Sequence, residues 1–84
     1  MANIYLFIEL LRIANADSVA DQVRSLALEN CSFANVVVLN DRKLVAQLDC
    51  ADPTDGDKAI LTKISTVQGV VQTNVISVIR PVRP

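Results

Sequence analysis

The stretch from Asn3 to Ile13 is apolar on both of its alternating sets of residues, and no other feature constrains the fold as much. Ile4, Leu6, Ile8 and Leu10 make one set. Tyr5, Phe7, Leu11 and Ile13 make the other, interrupted by Glu9. A strand with two apolar faces belongs in the middle of a sheet, with both faces covered. The chain has 84 residues, enough for one domain and one core. A domain of this size buries only somewhat above ~60% of the surface its unfolded form exposes. Little chain is left to cover a second sheet face.

The remaining elements follow from periodicity and punctuation. Asn15 to Ser18 is turn chemistry, and Ser18 with Asp21 resembles a capping box at a helix start. Val19, Ala20, Val23, Leu26 and Ala27 recur at helical spacing towards Glu29, with Asn30 suited to end the helix. Phe33 to Leu39 predicts a valine-rich second strand, Asn40 to Lys43 a polar break in which Asn40 is able to take a positive φ, and Leu44 to Cys50 a third strand. In that strand Leu44, Ala46, Leu48 and Cys50 face inward. Ala51 to Gly56 reads as a loop. Thr54 and Asp57 then repeat the capping pattern before a helix with Ala59, Ile60, Ile64 and Val67 on its apolar stripe. Gly69 suits a left-handed cap, and Val70 to Ile79 predicts a fourth strand that Pro81 and Pro84 stop from continuing.

The order is βαββαβ, an α+β, ferredoxin-like arrangement: a four-stranded antiparallel sheet with both helices on one face. Right-handed crossovers put the first and third strands in the centre. One domain is expected over 1–79, with 80–84 a loose C-terminal tail. The other sheet face stays bare. Tyr5, Phe7, Glu9, Leu11 and Val45 are expected there, covered by a second copy of the chain. Composition agrees, because 51% of the residues are apolar, more than so small a monomer readily hides.

Charge and residue inventory narrow the function. Net charge is −1 with no basic stripe, which gives no footprint for nucleic acid or an anionic membrane. The apolar opening is short, lacks a positive leader and contains Glu9 and Arg12, so it reads as a strand and not as a signal peptide or membrane span. Histidine is absent, which removes the usual general base and the usual haem and zinc ligand. Neither Gly56 nor Gly69 belongs to a phosphate-cradling loop. No cofactor, metal or turnover is expected. Asp52, Asp55 and Asp57 lack the ligand series of a calcium loop and read as a solvated helix start. Cys31 and Cys50 match no metal or redox spacing. They are expected as free, semi-buried thiols in a reducing cytoplasm, a disulfide across the hairpin being the alternative.

Leu44 to Val75, "LVAQLDCADPTDGDKAILTKISTVQGVVQTNV", resembles the effector-binding domain of the Lrp/AsnC transcription regulators, an ACT-like dimeric α/β barrel. In that family a hairpin enters an apolar strand, an acidic loop leads into a helix, and a glycine-valine pair precedes a strand bearing threonine. Gly69-Val70 and Thr73 match those offsets. The family's Gly-x-Tyr-Asp-like turn is replaced here by Asn40 to Lys43, and its DNA reader is missing. The resemblance implies a stand-alone domain that dimerises through sheet faces, as a homodimer or a ring of dimers. It implies a small polar effector such as an amino acid, held by Asn40, Asp41, Arg42 and Thr73. Lys43 to Asp49 and Gln68 to Val71 are also similar to NapD-type chaperones, which would hold a twin-arginine signal peptide along a strand edge. Dimeric α+β-barrel monooxygenases and isomerases share the topology, but the residues offer no base for them.

Overall fold

The computed structural model describes residues 2–79, and the expected tail at 80–84 lies outside them. The elements are β1 (Ala2–Leu10), α1 (Ala16–Arg24), β2 (Cys31–Asn40), β3 (Lys43–Cys50), α2 (Pro53–Thr62), a 3-10 turn (Ile64–Thr66) and β4 (Val70–Ile79). They form one antiparallel sheet in the order β2-β3-β1-β4, the ferredoxin-like arrangement with β1 and β3 central.

Alternation decides which residues meet. Ile4, Leu6, Ile8 and Leu10 of β1 and Leu44, Ala46, Leu48 and Cys50 of β3 face the helices and are buried. Val19, Ala20 and Val23 of α1, Ala59 of α2 and Ile64 of the turn close over them. No polar or charged residue is buried with this group among the described residues. Aliphatic contact therefore holds the sheet to the helix layer.

Several element ends differ from expectation, each for a local reason. The helix α1 begins at Ala16 because the Asn15 side chain, not that of Ser18, accepts a hydrogen bond at the N-terminus, from the Ser18 amide at 3.0 Å. It stops at Arg24, so Leu26 and Ala27 lie beyond it, and Asn30 takes its left-handed φ of 60° at the entry to β2. Asp52, not Thr54, caps α2, accepting from the Thr54 amide at 2.9 Å and its hydroxyl at 2.8 Å. The helix then opens with Pro53, whose missing N–H costs nothing in a first turn. Gly56 consequently sits inside α2 and not in a loop; a Cβ there would run into Ile4.

The hairpin turn is Asp41-Arg42, within the expected polar break. Asn40 does not adopt a positive φ; its side chain accepts from the Arg42 amide at 2.9 Å and closes the turn instead. At the same end of the sheet Gly69 has φ +96°, and a Cβ on it would press on Val19 and Ala14 at 3.1 and 3.2 Å. Its carbonyl accepts from the Leu11 amide at 2.8 Å. Gly69→Ala is expected to cost roughly 1–3 kcal/mol, from the left-handed backbone and the two contacts together. Urea unfolding of the purified variant measures it, and an unchanged midpoint would contradict this account.

The two cysteines are the main correction to the sequence reading. Cys31 and Cys50 are directly opposed in the β2–β3 register and form a disulfide, so they are not free thiols. Edge strand β2 is thereby tied to central strand β3 at the end opposite the hairpin. No helix among the described residues is long and apolar enough to cross a membrane.

Candidate functional site

Where β1 ends, the chain is gripped from both sides. The Leu10 amide donates to the Arg42 carbonyl of the hairpin and the Leu11 amide to the Gly69 carbonyl before β4, both at 2.8 Å. These two bonds fix Leu11-Arg12 between the hairpin tip and the start of β4. They also define a cleft of about 420 Å³ lined by Glu9, Leu10, Leu11, Arg12, Arg42, Lys43 and Val71. That volume falls within the range of ordinary small-ligand sites, roughly 300–1,000 Å³.

Three cations and one carboxylate line the cleft, a local charge of +2 on a chain whose net charge is −1. Glu9 and Lys43 are cross-strand neighbours in the β1–β3 register, yet they form no ion pair. The Lys43 ammonium stands instead over the Phe7 ring, 5.2 Å from its centroid. The only ion pair among the described residues, Arg24 with Asp21, is elsewhere on the molecule. The guanidiniums of Arg12 and Arg42 make no hydrogen bond or ion pair among the described residues, and neither does the Glu9 carboxylate. A guanidinium fork matches a carboxylate or phosphate in two parallel hydrogen bonds, whereas a carboxylate accepts from an ammonium. Chemically the cleft is equipped for a small anion, or for a molecule carrying both charges.

The residues expected at the ligand site are only partly brought together. Arg42 lines the cleft; Asn40 and Asp41 belong to the turn that positions it. Thr73 pairs in register with Ile8 and so lies on the helix side of the sheet, where its hydroxyl is buried without a hydrogen-bond partner. Glu9 and Arg12 are the charged cleft residues that the expected ligand site, at the hairpin Asn40 to Lys43 and Thr73, left out. The pairing of Glu9 with Lys43 was implicit in the strand order; the position of Arg12 depended on where β1 stops.

The bare face carries Tyr5, Phe7 and Glu9 of β1 with Val45 of β3, all half-buried. Val37 of β2, opposite Val45, extends the apolar strip. Gln47, Gln72 and Asn74 flank it, in register with Tyr5, Glu9 and Phe7 respectively. Leu11 stands one residue past the end of β1. It is 46% exposed and borders the cleft. Among the described residues no three potential metal-binding side chains converge. No family model, curated protein or solved structure matches the chain.

Proposed function

We propose that the chain is a non-enzymatic, ligand-sensing regulatory module that binds a small zwitterion or anion, such as an amino acid, and acts as a homodimer or a ring of dimers. The observation that carries this reading is the cleft in which Arg12, Arg42 and Glu9 have no partner among the described residues. A ligand carboxylate would pair with the guanidiniums, and its ammonium with Glu9. The bare strip of Tyr5, Phe7 and Val45 beside the cleft supports a second subunit as cover, which would enclose an otherwise open site. Lrp/AsnC-like sensing fits this arrangement, although the contacts come from Glu9 and Arg12 more than from Asn40, Asp41 or Thr73. For a cytoplasmic location the proposal carries one condition. The Cys31–Cys50 bridge would have to persist there, as disulfides do in intracellular proteins of hyperthermophiles and rarely elsewhere.

A thermal-shift screen with free amino acids tests the reading, because a ligand that binds only the folded state raises the midpoint with concentration. A stabilising amino acid should lose at least about tenfold in affinity with Arg42→Ala or Arg12→Ala, since each removes a charged hydrogen-bonding group. Both positions are exposed, so unliganded stability should change by no more than about 0.5 kcal/mol. Glu9→Gln should weaken amino acids while sparing carboxylates that have no amine. If both arginine variants bind as the parent does, the cleft is not the site. Stabilisation by a twin-arginine peptide and by no amino acid would replace this reading with the chaperone.

A further inference from the structure

We infer that β4 is a second self-association surface, pairing antiparallel with β4 of another copy so that two sheets join edge to edge. The two edges of the sheet are unequal. Along β2, α1 packs against the strand, the Arg24 guanidinium donates to the Val36 carbonyl at 2.8 Å, and the disulfide ties the strand inward. β4 packs against the 3-10 turn but, among the described residues, has no side-chain bond to its backbone and no disulfide. Its one strand partner among them is β1, and its outer backbone edge is unpaired.

β4 has neither charge nor proline along its edge, and its two bulges against β1 are the protection it carries. From Ile64 to Ile79 there is no charged residue and no proline, the two commonest devices against strand pairing. The helix layer also stops short of it. Val75 and Val78 pair in register with Leu6 and Ile4, which are fully buried, yet each is 46% exposed. Only the 3-10 turn packs substantially against β4, while α2 lies over the other strands. Val71 and Ile76, the extra residues at the two irregularities of β4 against β1, are about as exposed.

An extended strand is what an unpaired edge can hydrogen-bond, and a copy of β4 is self-complementary to this one under a two-fold axis. It brings no charge to be desolvated. Its own Val75 and Val78 continue the apolar layer on the helix side, and its Gln72, Asn74 and Ser77 supply the polar side. The surface is distinct from the bare face, so a chain using both would build assemblies beyond a dimer. This inference stands on the sheet edge and not on the cleft; its failure leaves the ligand reading untouched.

Light scattering with chromatography, together with hydrogen exchange, tests it on the full chain. Val75→Lys should lower the assembly mass, because the ammonium reaches water in the monomer but would be held in the apolar layer of the paired strands. Phe7→Asp should remove only association through the bare face and leave β4 pairing in place. Independently of any variant, the β4 amides not bonded to β1 should lose protection on dilution, with no change along the outer edge of β2. A monomeric parent protein overturns the inference. So does a Val75→Lys variant of unchanged mass, or β4 protection that arises only when an apolar peptide is added.

Discussion

Removing the Cys31–Cys50 bridge should lower the stability of the fold by roughly 3 kcal/mol. The two residues are 19 apart in sequence, and in the unfolded chain the bridge closes that loop. Loop-closure entropy for this length gives the figure quoted. Stability of ~4–13 kcal/mol is expected for a chain of this size, so the loss is a large share of the whole. The effect should be concentrated in β2, which as an edge strand has a ladder on one side only. The appropriate pair is Cys31→Ala with Cys50→Ala, compared with parent protein under reductant. Alanine avoids placing a hydroxyl at Cys50, which is 1% exposed. Urea denaturation should show the midpoint falling by roughly 1–3 M in both, with a steeper slope because the unbridged denatured chain exposes more surface. If thiol titration of the native protein finds two free sulfhydryls, this account of β2 is wrong.

The same bridge shows where sequence reading stopped. Strand order and the facing of β1 and β3 were legible because alternation has a period of two, and a slip by one residue would have put Leu44 and Leu48 in water. Burial of Val19, Ala20 and Val23 was legible from helical spacing. The cysteine pairing depended on the β2–β3 register across two irregularities, between Phe33 and Asn35 and between Val38 and Asn40, and composition says nothing of such shifts. Helix starts were misplaced because Asn15 and Asp52 compete with Ser18 and Thr54 for the same orphan amides, and geometry selects the earlier residue. The cleft was half legible. Its hairpin wall was expected from the turn residues, but Arg12 enters because β1 ends at Leu10, where the Leu11 amide leaves the ladder for Gly69. Thr73 was assigned by offset along the chain, whereas strand pairing turns it to the other side of the sheet.

Leu48→Ala should be among the most damaging conservative changes in the protein, at about 2–5 kcal/mol. Leu48 is fully buried on β3, with Ile4 of β1 and Phe33 of β2 as its cross-strand partners. It therefore sits where both ladders of the central sheet meet the helix layer. Truncation removes the transfer free energy of the lost side-chain carbons and leaves a hole, and its neighbours are poorly placed to fill it. Ile4 is already packed against the α2 backbone at Gly56, and Ala46 and Ala59 are too small to reach across. Leu61→Ala provides the control. It removes the same atoms from a side chain that is 73% exposed, on the outer side of α2, and should cost about 0.5 kcal/mol or less. Urea midpoints of the two variants, measured at equal protein concentration so that association contributes equally, give the difference directly. Comparable losses at the two positions would mean that α2 does not lie as described, with Ala59 inward and Leu61 in solvent.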